Sequence, residues 1–167
     1  MASFTERIVG AAKLRSATYE EVEHDTRATG QAIAIVVLSS VAAAIGARIH
    51  TDAGDLVRSS LFALVSWFVW AGLTFLIGTK LLATRGTHAT WGDLLRTTGF
   101  AASPGLLRIF GVVPFTTSLV FFVTSVWMLV AFVIAVQEAL DFRNIWRAVA
   151  VCFVGWLVYV AFGIFVY

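Results

Sequence analysis

Residues 91–114 read WGDLLRTTGFAASPGLLRIFGVVP, and the reading of this stretch decides the fold. Residues 94–113 are just long enough to cross a hydrocarbon core at about 1.5 Å per residue. Yet they carry Arg96 and Arg108 and are interrupted by Gly99, Pro104 and Gly105. Proline removes a backbone donor, and its ring crowds the carbonyl four residues earlier, here that of Phe100. In lipid, backbone groups freed in this way must find partners in neighbouring helices, side chains or water. The stretch is therefore expected to break at Pro104, with the break enclosed by the rest of the chain. Two readings stay open. One is a kinked third span whose arginines snorkel to the two interfaces. The other is a re-entrant or hinged element that lines a site.

Four cleaner apolar runs flank this stretch, at about residues 28–47, 59–79, 116–137 and 148–167. They predict an all-α polytopic membrane helical bundle: five transmembrane spans, the third of them broken. Composition agrees. The chain is 59% hydrophobic and 13% charged, where a soluble domain carries about 25% charged residues. In the first run Ser39, Ala43 and Ala47, and likewise Ala42 and Gly46, recur every four residues. Small residues at that spacing let helix backbones approach closely, so this span is expected to be tightly packed. A net charge of only +2 argues against a polyanionic partner such as nucleic acid. The single Cys152 lies in an apolar run, which leaves no disulfide framework and no cysteine metal site.

Residues 1–27 form a cytoplasmic segment ahead of the transmembrane domain at 28–167. They are polar and show no apolar core of a cleavable signal. Ser3 and Glu6 have the spacing of a capping box. Phe4, Ile8, Ala11 and Ala12 then share a face, with Arg7, Lys13 and Arg15 elsewhere. This pattern predicts a short amphipathic helix over residues 3–15, lying on the membrane surface. Thr18 and Glu21 repeat the capping signal. The acidic residues Glu20, Glu21, Glu23 and Asp25 read as a solvated face. His24 has no companion ligands, and the loop 48–58, with Arg48, His50, Asp52, Asp55 and Arg58, reads as a surface connection. Asp93 is placed to complement the positive start of the third segment. Residues 138–147 form a short charged loop.

Basic residues set the orientation. With five spans and the N-terminus inside, the inner side holds Arg7, Lys13, Arg15, Arg27, Lys80, Arg85, Arg96, Arg143 and Arg147. The outer side holds Arg48, Arg58 and Arg108. Nine against three follows the positive-inside rule.

No catalytic constellation is present: no phosphate-binding glycine loop, zinc-protease pair or nucleophile elbow. A non-enzyme without a cofactor is expected. No Asp, Glu or Lys lies deep in a span and no inverted repeat is visible, which disfavours an ion-coupled transporter. The unusual feature is a set of mid-span tryptophans, Trp67, Trp70, Trp127 and Trp156. Each indole N–H needs a partner in lipid, and Ser66, Thr74, Thr124 and Ser125 are nearby candidates. The rings either pack helices together or line a groove for an apolar ligand. Together with Arg96 and Pro104 of the broken segment, these four tryptophans are the candidate ligand-binding residues.

Three stretches carry a family resemblance: YEEVEHDTRATGQA before the first span, WGDLLRTTGFAASPGLLRIFGVVP, and VWMLVAFVIAVQEALDFRNIWRAV across the fourth and fifth. The chain resembles the YIP family of Ypt-interacting membrane proteins, and most of all its prokaryotic branch, over nearly its whole length. The resemblance implies five spans, a cytoplasmic N-terminus and, in eukaryotic relatives, work in vesicle traffic with Rab-type GTPases and with each other. The short stretch before the first span weakens the expectation of a GTPase partner. Two functions follow as expectations. The first is a scaffold or adaptor that associates with other membrane proteins, or with itself, and shapes the bilayer of a prokaryotic cell membrane. The second is a carrier or small pore for a lipid or hydrophobic solute.

Overall fold

The computed structural model describes residues 2–47, 52–83, 87 and 89–166, with side chains through residue 158. Arg48, His50 and Arg85 lie outside these residues. The described chain is helical, and the reason for each element is local.

The first helix, α1 (Phe4–Ala12), starts with the expected capping box. The Ser3 hydroxyl accepts from the Glu6 backbone while the Glu6 carboxylate accepts from the Ser3 backbone at 2.7 Å. A turn through Leu14, with φ of 59°, reverses the chain into α2 (Ser16–His24). The start expected at Thr18 is not used. Thr18 lies inside α2, whose first residues have no side-chain cap, and it packs against Gly10 of α1. Of the acidic residues read as a solvated face, Glu20 is exposed as expected, but the other three are not simply solvated. Glu21 and Asp25 converge on the buried Arg7 at 2.9 and 2.8 Å, and Glu23 is itself buried.

Among the described residues three helices are long and apolar enough to cross a membrane: α3 (Ala28–Gly46), α4 (Ala53–Leu76, its last turn widened into a π-turn over Ile77–Leu81), and α6 (Thr117–Ala139). The α4 helix begins six residues before the expected 59, because the Asp52 carboxylate accepts from the Asp55 backbone at 2.7 Å and caps it. Asp55 and Arg58 are therefore helical. Last comes α7 (Ile145–Val166), apolar in its described side chains from Ala148 onward.

The stretch 91–112 is broken as expected. Helix α5 (Trp91–Phe100) opens on a capping box between Thr90 and Asp93 and ends at Phe100. After a turn at Ala101 and Ala102 the chain runs on as a 3-10 helix, Ser103–Val112, with Pro104 in its first turn. Phe100, Ala101, Ser103, Pro104 and Gly105 are all buried, so the break is enclosed. The segment follows α3 in the same direction. Gly99 packs on Ala32, Gly105 on Ser39, and Gly111 on the carbonyl of Gly46. A side chain at Gly105 would collide with the Ser39 hydroxyl, and one at Gly46 with the Arg108 carbonyl. The small-residue face of α3 is thus used inside the chain, which makes α3 the most buried of the three long helices. A 3-10 helix rises about 2.0 Å per residue, so the two pieces together cover roughly 35 Å.

Two apolar clusters hold the bundle. One joins α1, α2 and α3 to the break and α6, through Ala11, Tyr19, Ile35, Phe100 and Ala131. The other joins the end of α4 to α5, α6 and α7, through Ile77, Leu94, Val136, Leu140 and Val151. Phe4 and Ile8 pack against the first cluster, so the apolar face of α1 is taken up by the protein itself. The α1 carboxyl end is fixed there: Tyr19 donates to the Ala11 carbonyl at 3.0 Å, and the Trp127 indole to the Ala12 carbonyl at 2.7 Å.

Candidate functional site

Helices α3 and α4 lie side by side, with the Ser40 and Ser60 hydroxyls 3.0 Å apart. Between them, α6 and the broken segment lies a cavity of about 940 Å³, with Trp156 of α7 also on its wall. That volume is at the upper end of the range for small-molecule sites. The wall is apolar and aromatic through Trp67, Trp70 and Phe132, and it turns polar toward Ser40, Ser59 and Arg108.

The candidate residues divide between this cavity and other places. Trp67, Trp70 and Trp156 line it. The Trp67 indole donates to the Thr98 hydroxyl at 3.1 Å, which pins the ring against α5. That partner is not among the hydroxyls nearest in sequence, because the bond joins two elements 31 residues apart. Thr74 instead donates to the Trp70 carbonyl at 2.8 Å. Pro104 is buried and does not line the cavity, whereas Ala101 and Ala102 of the same break do. Trp127 is on another side of α6, where it holds α1 and lines a smaller hollow of about 280 Å³.

Arg96 is at the opposite end of α3 from Arg108. Its guanidinium donates to the Val22 carbonyl at 3.1 Å, to the Glu23 carbonyl, and to Asp93 at 2.6 Å. It caps the last carbonyls of α2, where a cation also complements the helix dipole. These bonds commit Arg96 to α2 and leave it outside the cavity.

Arg108 is the residue that the sequence reading left out of its site. Its Nε donates to the Thr124 hydroxyl at 3.3 Å, its Nη2 to the Ser125 hydroxyl at 2.9 Å, and it lies 5.2 Å over the Phe121 ring. No carboxylate among the described residues pairs with it. A signal was available: no Asp or Glu occurs from Leu94 to Gln137, so Arg108 has no acidic neighbour in sequence, whereas Arg96 follows Asp93 by three.

On α2, burial pushes the Glu23 carboxyl up to about 7, and the carboxylates of Asp93, Asp141 and Glu138 add to the rise while His24 opposes it. The Arg7 guanidinium holds both Glu21 and Asp25 below the ordinary carboxylate range.

Three membrane-length apolar helices packed around an enclosed break define a helical membrane protein. The Yip1 domain family matches residues 14–166, nearly the whole chain, and the chain belongs to that family. No curated protein and no solved structure matches it.

Proposed function

We propose that the protein is a five-span, non-catalytic protein of a prokaryotic cell membrane whose cavity holds a membrane lipid. The observation that carries this reading is the aromatic-lined cavity of about 940 Å³ between α3, α4 and α6. Five spans are supported by the course of residues 99–111, which accompany α3 from Ala32 to Gly46. The orientation, with the N-terminus cytoplasmic and the C-terminus outside, rests on the distribution of basic residues.

A scaffold or adaptor role has less support. The small-residue face of α3 and the apolar face of α1, which would have met partners, are occupied within the chain. Association with other membrane proteins would use the remaining outer faces of α4 and α6, where Leu61, Leu119 and Phe122 are exposed, and lipid satisfies those equally. The GTPase expectation gains nothing here.

The test is lipid retention. Protein exchanged from membranes into detergent should keep phospholipid detectable by native mass spectrometry. Ser66→Trp, at an exposed position on the cavity wall, should fill the space and release the lipid without unfolding the chain. Equal retention by a folded Ser66→Trp protein would refute the reading.

A further inference from the structure

We propose that Arg108 makes one end of this cavity a headgroup site for a net-anionic phospholipid. The proposal rests on the lipid-holding reading above and names the class of lipid.

A guanidinium has five N–H donors. The bonds to Thr124 and Ser125 use two of them, which leaves three. Thr124 and Ser125 are neutral, and so is Phe121, so the charge itself is not compensated. Arg7 and Arg96, which are buried where Arg108 is only half-buried, are treated differently. Arg7 meets Glu21, Asp25 and Gln31, and Arg96 meets Asp93 and two carbonyls. An uncompensated cation among apolar helices is costly, and such residues face a cavity or a partner of opposite charge. Arg108 faces the cavity.

The cavity is polarised to match a lipid. Arg108, Ser40 and Ser59 stand toward the end where α3 finishes and α4 begins. Trp70, Phe132 and Trp156 form the apolar part. From Ser59 to Trp70 along α4 is roughly 16 Å at the helical rise, close to the depth of one leaflet. A phosphate at Arg108 would therefore leave an acyl chain running along the tryptophans. Arginine suits phosphate because its planar fork donates in pairs. A soluble phosphate would leave the apolar part empty. A zwitterionic headgroup also offers a phosphate but brings its own cation, so the site would keep a net positive charge.

Delipidated protein titrated with phosphatidylglycerol or with phosphatidylcholine of the same chains, and followed by native mass spectrometry, tests this. The wild type should bind the anionic lipid about tenfold more tightly, in line with hydrogen bonds to a charged group. Arg108→Gln should lose that preference, and Arg108→Lys should keep most of it, with thermal melting in detergent checking that each is folded. Equal binding of the two lipids by the wild type, or an unchanged preference in a folded Arg108→Gln protein, would overturn the headgroup assignment while the lipid-holding reading stood. Binding of neither lipid would overturn both. The wild-type comparison decides the matter even if Arg108→Gln does not fold.

Discussion

The Ser103 hydroxyl donates to the Phe100 carbonyl at 2.6 Å, and both residues are buried. Phe100 lies four residues before Pro104, so its carbonyl is the acceptor that proline deprives of a backbone donor. The break therefore carries its own remedy one residue before the proline. Replacing Ser103 by Ala should leave that carbonyl unpaired and lower stability by about 1–3 kcal/mol. Thermal unfolding in detergent measures this, and a Ser103→Ala protein as stable as the wild type would mean that another donor serves Phe100.

Arg7 should control the attachment of the α1–α2 hairpin. It is 2% exposed and bonds to Glu21, Asp25 and Gln31. Arg7→Gln leaves two carboxylates without their cation. Proteolysis within residues 2–24 should then speed up on the order of tenfold. The Trp127 indole, bonded to Ala12, reports the same event as a change in fluorescence. Because Arg7 depresses Glu21 and Asp25, their contribution is present above their ordinary values of 4.5 and 3.8 and fades as pH falls below about 4. A hairpin equally resistant in Arg7→Gln, or at pH 3, would contradict this role.

Much of this arrangement was legible in the sequence where cause and effect are close in the chain. Pro104 and Phe100, Ser3 and Glu6, and Asp93 at the start of α5 all act within four residues, and each appears as read. The 3-10 form of Ser103–Val112 was not legible, since apolar spacing barely separates it from an α-helix over ten residues. The Arg7 network joins residues 14 to 24 apart, so Glu21 and Asp25 looked like surface charges. The same applies to Trp67 with Thr98 and to Trp127 with Ala12. An indole shows that it needs a partner without showing which one. Arg108 could have been found from the long acid-free stretch around it.

Glu23 should make stability fall as pH rises. Burial raises its carboxyl from the ordinary 4.5 to about 7, so the fold favours the protonated form. The stabilisation is complete below about 4.5 and is lost as pH climbs through about 7. Glu23→Gln keeps a neutral group of similar shape. Its melting temperature should vary less between pH 5 and 8, and at pH 8 it should exceed the wild type by about 1–2 kcal/mol in stability. Parallel pH profiles for the two proteins would remove Glu23 as the cause.

Topology supplies the last prediction. Residues 99–111 keep pace with α3 from Ala32 to Gly46, which a re-entrant segment returning to its own side would not do. If they cross, α6 returns and α7 leaves again, so Ala53 and the C-terminus lie on the same, outer side. If they do not cross, Arg143 and Arg147 move outside and Arg108 moves inside, and the count of basic residues becomes eight against four. Cysteine labelling distinguishes the two. Cys152 is buried and can be changed to Ala to clear the background. In that protein an impermeant thiol reagent applied from outside should reach both Ala53→Cys and a cysteine appended after Tyr167. Labelling of Ala53→Cys with protection of the appended cysteine would show an odd number of crossings between them, and the five-span arrangement would fall.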